Sequence, residues 1–154
     1  MSLKVNDQAP AFVGKDQDNN TIRLADFAGK KLVLYFYPKD NTPGCTAQAC
    51  NLRDNYEALL QAGYEVVGVS TDNAASHKRF IEKKKLPFRL IADEDRAIHE
   101  QYGTWVQKSM YGKQYWGTAR MTFVIDGSGK IIKVIDRVKT ASHTAQILDT
   151  PNSQ

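Results

Sequence analysis

The chain has two cysteines, Cys45 and Cys50, and both lie in the segment Tyr35-Phe36-Tyr37-Pro38-Lys39-Asp40-Asn41-Thr42-Pro43-Gly44-Cys45-Thr46-Ala47-Gln48-Ala49-Cys50. An apolar run ending at Tyr37, a short Pro/Gly loop and a helix-forming stretch opening at Cys45 read as a strand, a turn and a helix N-terminus. The unpaired amides and the dipole of a first helical turn favour thiolate over thiol. A thiolate is a nucleophile and a metal ligand, whereas a thiol buried in apolar surroundings is inert. The plainer alternative for Cys45 is a small core residue, the commonest fate of a free cysteine, and the specialised loop before it argues against that.

The spacing limits what the pair can do. On a helix, Cys45, Ala49, Leu52, Tyr56, Leu59 and Leu60 share an apolar stripe about 100° wide, which places Cys45 against a sheet. Cys50 lies about 140° further round the axis and about 7.5 Å along it, so the Cα atoms would stand roughly 8–9 Å apart. A disulfide needs about 4.4–6.8 Å. If these cysteines ever bond, the first turns of the helix must unwind. This speaks against a static disulfide within an intact helix, and the five-residue step is not the C-x-x-C of a thioredoxin. Metal binding needs more than two thiols. The histidines His77, His99 and His143 are scattered, none at ligand spacing from the cysteines, and each reads as a surface residue.

The loop supplies further groups. Pro38 fixes the chain at the strand end and shields one side of the thiol, while Pro43 and Gly44 form a tight helix entry. Thr42, three residues before Cys45, can bring its hydroxyl near the sulfur, and it also reads as a helix cap.

The elements around this segment alternate. Phe12-Val13 and Thr21 to Leu24 flank a turn-rich stretch and form an N-terminal hairpin. Leu32 to Tyr37, Glu65 to Ser70 and Phe88 to Ile91 read as strands. Helices are expected from about Thr46 to Ala62, Ala74 to Lys85, Arg96 to Tyr102 (with Asp93 as its cap) and Ser142 to Leu148. Met121 to Ile125 and Ile131 to Asp136 form a hairpin around Asp126-Gly127-Ser128-Gly129-Lys130, which lacks the spacing of a phosphate loop. The Tyr- and Trp-rich stretch Lys108 to Trp116 is open between a packed loop and a surface lining a pocket or contact. The pattern implies an α/β fold with a central mixed sheet flanked by helices.

With 154 residues, 42% of them hydrophobic, residues 1–154 form a single domain that needs no disulfide staple. The net charge is +4, but the one dense basic run, Lys83-Lys84-Lys85, suits a solvated helix end better than a nucleic-acid surface. No apolar stretch approaches the roughly 20 residues of a membrane span, and the first residues lack the apolar region of a signal peptide. The expectation is a cytoplasmic protein with no membrane or nucleic-acid partner, in a compartment where a cysteine pair serves catalysis, redox chemistry or metal binding.

The arrangement Pro38-x-x-x-Thr42-x-x-Cys45 resembles the active-site loop of the peroxiredoxins, thiol peroxidases of thioredoxin-like fold. Pro43-Gly44-Cys45-Thr46 followed by Cys50 is similar to the bacterioferritin comigratory protein, or peroxiredoxin Q, subfamily. The likeness runs from Asp7-Gln8-Ala9-Pro10-Ala11-Phe12 to Ala119-Arg120-Met121-Thr122-Phe123-Val124-Ile125-Asp126, with Met121 where the family often has a hydroxyl residue. It implies an antioxidant peroxidase acting on hydrogen peroxide and organic hydroperoxides without metal, haem or flavin. In that reading Cys45 is peroxidatic and Cys50 resolves it as an intrachain disulfide. Thr42 binds peroxide and thiolate, Pro38 shields the pocket, Arg120 stands beside the sulfur, and thioredoxin or a similar dithiol recycles a monomeric enzyme. The rivals are a thioredoxin-fold copper chaperone using both cysteines and a distal histidine such as His143, and a general dithiol-disulfide oxidoreductase.

Overall fold

A computed structural model describes residues 2–149 of the chain. Its elements in chain order are strands β1 (Val13–Lys15), β2 (Thr21–Arg23) and β3 (Lys31–Phe36), helices α1 (Pro43–Asp54) and α2 (Tyr56–Gln61), and strand β4 (Tyr64–Ser70). There follow α3 (Ala74–Lys84), β5 (Arg89–Ala92), α4 (Ala97–Tyr102), β6 (Trp105–Met110), β7 (Lys113–Thr118), β8 (Met121–Ile125), β9 (Ile131–Ile135) and α5 (His143–Leu148). Five strands form the central sheet in the order β5-β4-β3-β8-β9. β3 is parallel to β4 and antiparallel to β8, so the sheet is mixed. β1 and β2 pair as the expected N-terminal hairpin.

The alternation along β3 builds two cores. Leu32, Leu34 and Phe36 enter one with Phe12, Tyr102 and Phe123. Val33, Tyr35 and Tyr37 enter the other with Cys45, Ala49, Leu52, Phe80 and Phe88. Successive strand residues point to opposite faces, and both faces are covered. Leu52 and Leu59 are fully buried, each contributing about 2 kcal/mol. Gly68 is opposite Tyr35 in the β3–β4 register. A Cβ there would stand 2.9 Å from the Tyr35 ring and 2.7 Å from Leu90, so only glycine leaves room for that ring under the helices.

Two expectations need correction, and one open stretch gains a structure. The long helix is two, because Asn55 Nδ2 donates to the Asn51 carbonyl at 2.8 Å, taking the acceptor that a continuous helix would give to the Asn55 backbone. The break turns Leu60 outward, to 42% exposure. The stretch Lys108 to Trp116 is no loop but most of the β6–β7 hairpin, turned at Tyr111-Gly112 with φ positive at both. Finally, His77, His99 and His143 are not surface residues; all three are fully buried, each with both ring nitrogens hydrogen-bonded.

The remaining elements lie within a residue or two of expectation. Lys83 and Lys84 end α3 and Lys85 caps it in the left-handed region, a solvated helix end. Asp93 accepts from the Ile98 and His99 amides of α4, although Arg96 holds the cap position. Asp126 accepts from Ser128 and Lys130 within the β8–β9 turn. Among the described residues no helix is long and apolar enough to cross a membrane.

Candidate active site

β3 and β8 run antiparallel with Phe36 opposite Met121, so the exit of β3 and the entry of β8 share one end of the sheet. The chain leaves β3 through Tyr37 and half-buried Pro38, turns at Asn41 with φ 64°, and enters α1 at Pro43. Asparagine tolerates that left-handed conformation and proline suits the first helical position. Arg120 is the residue before β8 and reaches back across the strand ends.

Cys45, the third residue of α1, is 1% exposed. Arg120 Nη2 donates to Cys45 Sγ at 3.3 Å, and Nη1 of the same guanidinium donates to Gln48 Oε1 at 2.7 Å. The planar fork is thus fixed at two points. Thr46 N–H is the first in the helix to reach an intrahelical acceptor, Thr42 O, at 2.8 Å. The N–H groups of Gly44 and Cys45 precede it in the first turn, where the helix offers no acceptor and its positive end lies. Gly44 also leaves space: a Cβ on it would stand 3.3 Å from Arg120 Nη2.

Thr42 occupies the cap position, yet its side chain caps nothing. Its hydroxyl donates instead to Lys39 O at 2.9 Å. With its proton committed there, the oxygen offers lone pairs to a donor from outside. Cys50 is half-buried, on the same unbroken helix, and both cysteines are free thiols. The structure therefore brings Cys45 and Arg120 into contact and sets Thr42 and Pro38 on the loop leading to them. Cys50 stays more than a turn away.

Gln48 was not singled out from sequence, although its place three residues beyond Cys45 puts it on the same side of the helix. Its Nε2 and the hydroxyl of Tyr35 are buried without a partner among the described residues. Burial above all pushes the Tyr35 phenol well above its ordinary value, with the neighbouring Cys45 and Asp40 adding to the effect. Lys108 on β6 is held below the ordinary lysine value by burial and then by Arg120, with Cys45 opposing.

The AhpC/TSA family model matches residues 5–134 of the chain. Over 147 residues the chain is 48% identical to the peroxiredoxin Bcp of Escherichia coli, an overlap of 96% of this chain and 94% of that one.

The chain is a peroxiredoxin of the AhpC/TSA family.

Within the family this peroxiredoxin falls in the Bcp, or peroxiredoxin Q, branch. It is 41% identical to the peroxiredoxin Bcp of Bacillus subtilis over 150 residues, covering 97% of this chain and 96% of that one. Peroxiredoxin Q of Xanthomonas campestris superimposes with a TM-score of 0.84 at 34% identity, covering 89% of this chain and 87% of the other. A cysteine-to-serine mutant of the Xylella fastidiosa PrxQ gives 0.90 at 28% identity, covering 96% and 94%. The X. campestris bacterioferritin comigratory protein has been solved in trapped intermediate and ligand complexes bearing on its alkyl peroxide reduction activity. The fold of this peroxiredoxin is thioredoxin-like, and the protein is an enzyme of the peroxidase and oxidoreductase class.

Neither rival reading fits. His143 donates or accepts through both nitrogens, Nε2 with Thr122 Oγ1 at 2.8 Å and Nδ1 with Gln146 Oε1 at 2.9 Å, so it offers no lone pair to copper. A general dithiol oxidoreductase would keep two sulfurs within one turn, and here they stand five residues apart on one helix.

Proposed function

We propose that this peroxiredoxin, acting as one domain over 1–154, reduces hydrogen peroxide and organic hydroperoxides through Cys45 and resolves the product with Cys50. The Cys45 thiolate attacks the terminal peroxide oxygen, and the O–O bond breaks. The sulfur is oxidised to sulfenic acid while the peroxide is reduced to water or alcohol, its leaving oxygen taking a proton. Arg120 steadies the thiolate and the negative charge that develops on oxygen. The Gly44 and Cys45 amides offer donors to the same oxygens. Thr42, its own proton held by Lys39, accepts from the peroxide O–H, and Pro38 shields the pocket.

Cys50 then displaces water from the sulfenic acid, forming an intrachain disulfide that an external dithiol, thioredoxin or a protein like it, reduces again. Because α1 is continuous from Pro43 to Asp54, this step needs its first turns to open. The protein is read as a cytoplasmic monomer without a metal or organic cofactor.

The observation that carries this reading is the 3.3 Å contact of Arg120 with Cys45 Sγ at a helix N-terminus. It is tested by mixing reduced protein with hydrogen peroxide or cumene hydroperoxide in a stopped-flow instrument. Cys45→Ser should consume no peroxide, and a variant that still does overturns the reading.

A further inference from the structure

The loop that delivers Thr42 and Cys45 is pinned by a buried aspartate–histidine pair that the reaction above does not use. Asp40 and His77, on α3, have side chains 3% and 0% exposed, with His77 Nδ1 2.7 Å from Asp40 Oδ2. Tyr37 Oη donates to Asp40 Oδ1 at 2.6 Å and Ser76 Oγ to Oδ2 at 2.8 Å. The Asp40 amide donates to Asp72 Oδ2 at 2.8 Å, and Ser70 Oγ donates to the same oxygen at 2.7 Å. His77 is fixed from its other side, Nε2 donating to Ile91 O of β5 at 2.9 Å. Ligand atoms of Asp40, Asp72 and His77 lie within 4.8 Å of one another, but both imidazole nitrogens face oxygen acceptors, so the cluster is an internal tie and not a cation site.

What the tie holds is the turn. Asp40 stands between Lys39, whose carbonyl takes the Thr42 proton, and Asn41, whose positive φ redirects the chain. Asp40, anchored through its carboxylate by Tyr37 at the exit of β3 and by α3, and through its amide by Asp72, fixes the peptide units on either side of it. The Lys39 carbonyl then points where the Thr42 hydroxyl meets it, which leaves the Thr42 lone pairs aimed outward. Placement errors of this kind cost rate even when the reacting groups are intact.

We propose that His77 is a positioning residue for peroxide reduction, acting through Asp40 to orient the hydroxyl of Thr42. The inference rests on the role given to Thr42 above. It concerns the attack on peroxide and not the reactivity of the sulfur itself, which Arg120 and the helix terminus govern.

The test compares two rate constants in the reduced full-length chain: oxidation of Cys45 by hydrogen peroxide, and its alkylation by iodoacetamide, which has no need of the Thr42 acceptor. His77→Gln and Asp40→Asn should each slow oxidation about tenfold, the loss expected for a hydrogen bond to a charged group, with alkylation within about twofold of wild type. The double variant should be no slower than the worse single one, because both changes break one tie. In a Thr42→Val background His77→Gln should have no further effect. A folded His77→Gln protein oxidised at the wild-type rate overturns the proposal. So does an additive loss in the Thr42→Val background, or an equal loss in both reactions. If His77→Gln does not fold, Ser76→Ala decides in its place: it removes one α3 donor to Asp40 and should slow oxidation alone, and an unchanged rate overturns the proposal. If Thr42→Val by itself leaves oxidation unchanged, it is the reading of Thr42 that fails, and this outcome is distinct from the others.

Discussion

The Arg120 guanidinium donates to Cys45 Sγ at 3.3 Å while Gln48 Oε1, one turn up the same helix, receives its other terminal nitrogen at 2.7 Å. Cation, sulfur and helix are thereby locked into one unit, and the geometry depends on the planar fork of arginine.

Arg120→Lys keeps the charge but cannot reach both partners at once. Peroxide oxidation of Cys45 should slow by up to about two to three orders of magnitude, the range seen on losing a preorganised donor at a developing charge. Gly44→Ala, which would put a Cβ 3.3 Å from Arg120 Nη2, should slow the reaction in the same direction by less. Stopped-flow rates at wild-type level in both variants contradict the role of Arg120.

Cys50→Ser removes the thiol proposed to resolve the sulfenic acid and leaves the Arg120 contact with Cys45 in place. The variant should consume one equivalent of peroxide in a fast phase and then stall with thioredoxin as reductant. Sustained turnover in a coupled assay contradicts the assignment of Cys50.

Tyr35 carries a buried hydroxyl without a partner among the described residues. Since an unsatisfied buried polar group costs stability, Tyr35→Phe should raise unfolding free energy by about 1 kcal/mol. Urea denaturation checks this, and a loss of similar size indicates that the hydroxyl is paired in solution.

His143 gives a pH dependence with a definite sign. Burial first of all holds its pKa below the ordinary 6.5; the Gln146 hydrogen bond works against this and the charge of Arg120 reinforces it. On acidification the unfolded chain takes up a proton near pH 6.5 that the folded chain resists, so stability is complete above that pH and falls as the pH drops through the lower folded value. Thermal unfolding followed from neutral to mildly acidic pH should show a steeper decline for the wild type than for His143→Gln. Equal slopes contradict the burial of a neutral imidazole.

Much of the fold and site was legible in sequence because local signals agreed with the tertiary outcome. The alternation of β3, the Pro43-Gly44 entry and the Asp126–Lys130 turn are each written in a few adjacent residues. The helix break was missed because the Asn55 side chain competes with its own backbone for the Asn51 carbonyl, a choice that no periodicity reports. The β6–β7 hairpin stayed open in sequence because its strands are mostly exposed, without a regularly buried face, and its turn places Tyr111, an aromatic residue, at φ 52°. Cys45, Thr42 and Pro38 were singled out from the loop motif and Arg120 by resemblance, and the four lie at one end of the sheet, with Arg120 in contact with Cys45. Gln48 and the three buried histidines were not found, since a polar residue's burial depends on partners distant in sequence, such as Ile91 for His77.

Cys45 and Cys50 are held apart on one helix, and the disulfide proposed between them requires its first turns to open. Hydrogen exchange measured by mass spectrometry on reduced protein and on protein treated with one equivalent of hydrogen peroxide tests it directly. The reduced chain should protect the amides of Thr46 to Cys50. The oxidised chain should contain a Cys45–Cys50 linked peptide in which that protection is lost. A linked peptide with the helix still protected, or oxidised protein with no link between these cysteines, contradicts the account.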